Sequence, residues 1–93
     1  IQDKALVVRS AAIEVLKVVD SEKVRPLFWQ ELDKPYNFRG GQSLWVRSMM
    51  LEYLALKPEL QERQKFERLL TDADRKIQRH ASRAISRLSS RLR

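Results

Sequence analysis

The amino-acid sequence predicts an all-α domain of stacked helical hairpins. Apolar residues recur at helical spacing along most of the 93-residue chain. The two glycines and three prolines fall where that spacing breaks. One stretch of sequence also returns in register further along, which is the mark of a repeat architecture.

The first helix is expected from Lys4 to Val19, capped by Asp3, with Ala5, Val8, Ala12, Val15, Leu16 and Val19 on one face. Asp20 or Ser21 caps a second, from about Glu22 to Asp33. Pro26 sits in its first turn, where little hydrogen bonding is lost, and Val24, Leu27, Phe28 and Leu32 form its stripe. Lys34 to Gly41 breaks the periodicity and reads as a loop. A third helix, about Ser43 to Lys57, turns Val46, Met50, Tyr53 and Leu54 to one side. Pro58 opens a fourth, weaker helix to about Leu70, with Leu60, Phe66, Leu69 and Leu70 to bury. Asp72 caps a fifth, from Ala73 to about Leu92, carrying Ile77, Ala81, Ala84, Ile85, Leu88 and Leu92.

The repeat lies in the odd-numbered helices. Residues 6–16 read LVVRSAAIEVL, and residues 44–54, 38 positions later, read LWVRSMMLEYL. Leu, Val, Arg, Ser, Glu and Leu recur in place. Residues 77–85, IQRHASRAI, follow 31 positions after the second copy. Such spacings suit a two-helix solenoid unit. The pattern resembles the second helix of HEAT repeats, roughly Asp-x-x-Val-Arg-x-x-Ala-x-x-x-Leu. Val8, Arg9, Ala12 and Leu16 match it, as do Val46, Arg47 and Leu54 with Met50 in the Ala slot. Asp74, Ile77, Ala81 and Ile85 match it in the last copy, where Gln78 replaces the Arg. The resemblance implies an α-solenoid of about five helices. It also implies structural roles between repeats for Arg9, Arg47 and Asp74, the arginines reaching an acidic residue or a helix C-terminus. The division expected is a single domain over 1–93. Residues 1–20 form the second helix of a first, truncated repeat, 21–57 a second repeat, and 58–93 a third repeat with a C-terminal cap. The chain opens at Ile1, as a piece cut from a longer protein would.

Composition narrows the function classes. There is no cysteine, so no disulfide or thiolate metal site, and no uncharged apolar run long enough to span a bilayer. His80 is the single histidine and has no convergent ligands in view. Without a nucleophile in an activating pattern, the expectation is a non-enzyme that needs no cofactor or metal. The remaining class is a protein-binding or scaffold module, with nucleic-acid or anionic-surface binding as the alternative.

Residues 72–93 hold seven Lys/Arg and two Asp, which is +5 of the net +7. Arg75, Arg79, Arg83, Arg87 and Arg91 form a row along the fifth helix. This row is either an electropositive strip for phosphates or a solvated cap face. In repeat register the fifth helix places His80, Ser82 and Arg87 where earlier copies are apolar, as a terminal cap requires. The first helix is instead apolar nearly all round, so either an upstream helix or a partner covers its free side; self-association of the fragment is expected through it. The loop residues Tyr36, Phe38 and Arg39 are a candidate recognition element, or else fold back onto the repeat. Trp29 and Trp45 flank that loop as core or as anchors. A polar ridge of Ser48, Glu52, Arg79 and Arg83, with Arg87 beyond, completes the candidate partner surface.

Overall fold

The structure, a computed structural model, describes residues 4–91. Five α-helices are present among them: α1 (Lys4–Val19), α2 (Val24–Leu32), α3 (Trp45–Leu56), α4 (Arg63–Leu69) and α5 (Arg75–Arg91). The all-α expectation holds. The odd-numbered helices lie side by side, α3 between α1 and α5, while α2 backs α3 and α4 backs α5. Hydrogen bonds fix the directions. Arg25 at the start of α2 reaches the Leu54 carbonyl near the end of α3, so those two are antiparallel. Ser48 meets His80 and the Ala55 carbonyl meets Arg87, so α3 and α5 run parallel. The result is a slab of 49 × 30 × 16 Å.

The core is continuous through the slab. It joins Leu6 and Ile13 of α1 to Val24, Phe28 and Leu32 of α2, then through α3 to Phe66 and Leu69 of α4 and Ile77, Ala81, Ala84 and Leu88 of α5. Among the described residues the apolar stripes of α2, α3 and α5 fall where the periodicity puts them, although Leu27 is exposed; Leu92, the last of the α5 stripe, lies outside the described residues. In α4, Leu60 and Leu70 stay exposed and only Phe66 and Leu69 are buried.

The first helix is corrected. Val8, Val15 and Val19, expected inward, are exposed, as are Ala5 and Ala12. A helix that is apolar nearly all round gives periodicity no contrast, and contact with α3 selects the Leu6–Ile13 face instead.

The helix ends are corrected as well. Asp3 lies outside the described residues. Asp20 adopts a left-handed conformation (φ 51°) and closes α1, its N–H donating to the Leu16 carbonyl. Ser21 bonds the Lys23 N–H ahead of α2. Pro58 is buried but precedes the fourth helix. Glu59 and Glu62 form a reciprocal capping box over a short 3₁₀ turn, and α4 follows. Asp74, with its carboxylate on the Lys76 N–H at 2.9 Å, caps α5 in place of Asp72.

The segment expected as a plain loop has structure of its own. After a 3₁₀ turn at Pro35–Asn37, β1 (Phe38–Arg39) pairs antiparallel with β2 (Gln42–Ser43). Gly40 (φ 58°) and Gly41 (φ 79°) make the two-residue turn, which needs positive φ at both positions.

Candidate partner-binding surface

Two arginines in equivalent repeat positions have different surroundings. Arg47 is buried at 1% exposure and organises the centre of the slab. Its Nε donates to the Leu32 carbonyl at the C-terminus of α2 (3.1 Å). Nη1 and Nη2 grip Asp72 as a fork (3.1 and 3.0 Å), Nη2 also meets Asp33 (2.9 Å), and Nη1 meets Ser43. The guanidinium stacks on Phe38, 4.6 Å from the ring centroid. One side chain thus ties α2, the hairpin, α3 and the turn before α5 together. Burial opposes its charge, but the bonds and charges of Asp72 and Asp33 prevail and raise its pKa further. Asp72 responds in kind: burial pushes its carboxyl up, Arg47 pulls it down, and the net is below the ordinary value.

Arg9 lacks such a set. It donates to the Tyr36 carbonyl and lies over the Tyr36 ring at 4.7 Å, while its Nε is buried without a hydrogen-bond partner. Asp74, expected between repeats, acts locally as a cap, and Asp72 takes the bridging role.

A second knot escaped sequence reading. Arg25 binds Glu62 and the Leu54 carbonyl, and Trp29 donates to the same Glu62 at 2.9 Å. Burial pushes the Glu62 carboxyl up, but Arg25, the Glu59 N–H and Trp29 hold it below its usual value. The Arg-Pro at the start of α2 and the Glu pair before α4 are 37 residues apart from Arg25 to Glu62, so no local pattern links them.

The loop aromatics turn back onto the fold. Phe38 is the platform for Arg47. Tyr36 supports Arg9 and donates its hydroxyl to Glu31, which raises the phenol pKa, with slight burial adding to the effect. Arg39 is exposed at the hairpin. Trp29 is half-buried with its ring edge-on to Phe66, whereas Trp45 is half-exposed beside the hairpin and the start of α5.

The polar ridge divides. Ser48 Oγ meets His80 Nε2 at 3.0 Å across α3 and α5. His80, expected on the exposed cap surface, is half-buried. Burial lowers its pKa and the charges of Arg83 and Arg79 add to this, against Glu52 and Asp74. Glu52, Arg79 and Arg83 are exposed around it. Further along α5, Arg87 donates to the Ala55 carbonyl and Arg91 to the Pro58 carbonyl, so the last two arginines of the row hold the end of α3 and the turn that follows it. Arg75, Lys76, Arg79 and Arg83 remain as an exposed basic patch.

The largest apolar exposure is on α1. Val8 is 66% exposed, Val15 61% and Val18 85%, and Val7, Ala11, Ala12 and Val19 extend the surface around them. Lys4 and Glu14 are the charged residues among the exposed positions of this helix. Among the described residues no cluster of three or more His, Asp or Glu is placed to hold a metal ion, and no helix is long and apolar enough to cross a membrane. Comparison with known protein families, curated proteins and solved structures finds no match to the chain.

Proposed function

We propose that this chain is a HEAT-like α-solenoid segment that binds protein, a scaffold module and not an enzyme. The supporting observation is the outward face of α1. A contiguous apolar surface of this kind, rimmed by few charges, is a protein-interaction feature when it occurs on a folded domain. Burying a single exposed valine is worth about 1.5 kcal/mol or more, so several together supply a real driving force. The parallel α3 and α5, with α2 antiparallel behind α3, support the solenoid reading, and so does Arg47 tying α2, α3 and the turn before α5 together.

A photo-crosslinking amino acid at Val15, in the protein's native cell, tests this. Discrete protein adducts are expected at Val15 and not at Ser82 on the polar outer side of α5. Adducts at neither position would overturn the reading.

A second reading has its own observation, the exposed Arg75, Lys76, Arg79 and Arg83. Phosphate binding there should weaken steeply between about 50 and 200 mM salt and fall with Arg79→Glu and Arg83→Glu. Salt-insensitive or absent nucleic-acid binding would leave that patch as a solvated cap.

A further inference from the structure

We infer that the groove between the hairpin and the N-terminal ends of α3 and α5 binds single-stranded nucleic acid, with a base stacked on Trp45 and phosphates on Arg75, Lys76 and Arg79. This rests on the phosphate-binding reading of the α5 patch and names the partner of that patch. The apolar face of α1 takes no part in it.

The groove brings together two features that lie far apart in the sequence. The Ser48–His80 and Ala55–Arg87 contacts both set α3 beside α5 at an offset of 32 residues. At that offset Trp45 stands level with Ile77, one residue from Lys76. A cavity of about 590 Å³ opens between them, lined by Trp45 and Ser48 of α3, Gln42 and Ser43 of the hairpin, and Arg75 and Lys76 of α5.

The aromatic face is open. Trp45 is 50% exposed. The Tyr36 ring carries Arg9, and the Trp29 ring carries Lys65 and meets Phe66 edge-on. Among the described residues no ring or cation stacks on Trp45. A base can cover such a ring whatever its identity, because every base has a π-face.

The cations are open too. Arg25, Arg47, Arg63 and Arg68 are each paired with a carboxylate. Among the described residues Arg75, Lys76, Arg79 and Arg83 form no ion pair, and all four are exposed. Arg75 and Arg79 are about 6 Å apart along the helix axis, a step comparable with that between successive phosphates of an extended strand. Two carboxylates lie close. Asp74 is engaged with the Lys76 N–H, and Glu52 stands level with Ala84, beside Arg83. The positive charge is therefore least opposed at the Trp45 end.

An acidic protein segment fits less well. Around Trp45 the lining is mostly polar or charged, so an apolar anchor finds one ring and no pocket. A duplex also fits less well, since its bases stack on one another and offer Trp45 no free face.

The test titrates the protein into a fluorescein-labelled DNA strand of about 12 nucleotides, and into the duplex of the same sequence. Both titrations are run at about 50 and 200 mM salt. The strand is expected to bind at least about tenfold tighter than the duplex. It should lose roughly 15- to 20-fold in affinity between the two salts, the dependence for about three phosphates on a single strand. Trp45→Ala should weaken binding at least about fivefold, as the loss of one stacked base does, with the salt dependence unchanged. Arg79→Glu should weaken binding and flatten the salt dependence. The strand should quench tryptophan emission in the wild type but not in Trp45→Phe, which keeps Trp29 alone. Full binding by Trp45→Ala, or a duplex bound as tightly as the strand, overturns this proposal and leaves the phosphate-binding reading standing. No binding of either at the lower salt sinks both. A glutamate peptide of matching charge that binds as tightly as the strand also overturns it, and marks the groove as a site for acidic protein.

Discussion

Arg47 shows how much one residue can hold. Its five hydrogen-bond acceptors come from four places in the chain: the end of α2, Ser43, Asp33 and Asp72. Removing one partner of a buried pair leaves the rest charged and unpaired, at a cost of about 3–5 kcal/mol. Arg47→Leu is therefore expected to destabilise by about that amount, read from the urea midpoint at unchanged slope. Arg47→Lys should lie between, since an ammonium can meet one carboxylate but cannot form the fork or stack on Phe38. The titrating residues divide by pH window. His80 has a depressed pKa in the folded state, so the neutral ring beside Ser48 is favoured. Its contribution is full above the ordinary histidine value, about 6.5, and is lost as pH falls below it. Asp72 and Glu62 are also depressed, but their contribution is lost only as pH falls below about 4. A melting temperature that drops between pH 7.5 and 5.5, and a shallower drop in His80→Gln, would match this; an equal drop in the variant would not.

At the scale of elements, the legible parts were those with contrast in the sequence. Helices α2, α3 and α5 each carry one apolar stripe against polar neighbours, and their buried residues follow from spacing alone. In α1 that contrast is absent, and the chosen face depends on the fit of Leu6 and Ile13 against α3, which no periodicity encodes. Asp72 reads as the cap and Asp74 as the residue between repeats; the roles are exchanged, and only the position of Arg47 in space decides that Asp72 is the bridge. The hairpin is a different kind of miss. Gly40-Gly41 between Phe38-Arg39 and Gln42-Ser43 is a known two-residue turn signal, masked by the brevity of the strands. Gly41 stands at φ 79° with open space around its α-carbon, so conformation and not crowding fixes the residue type. Gly41→Val should cost about 1–2 kcal/mol by thermal or urea unfolding, since a branched side chain resists the left-handed region. Gly41→Asn, which tolerates it, should stay close to neutral. Equal losses in both would mean the glycine is needed for another reason.

Across the whole molecule, stability should fall from α3 and α5 towards α1. α3 is packed on both sides and buries six of its residues, and α5 buries four, while α1 buries two, Leu6 and Ile13. Helix α1 is also rich in β-branched residues, which lose side-chain freedom in a helix, so local propensity does little to hold it. Local opening free energies follow buried contact and reach the global value only in the core. Native-state hydrogen exchange should therefore show the α1 amides opening at lower free energy than those of α3. A partner bound on the outer face would reverse that order by linkage, because whatever binds only the folded form of α1 adds its binding free energy to the opening cost. Protection in α1 that already equals that in α3, with no partner present, would mean the inner contacts suffice and the open valine face contributes nothing to the folding of this end.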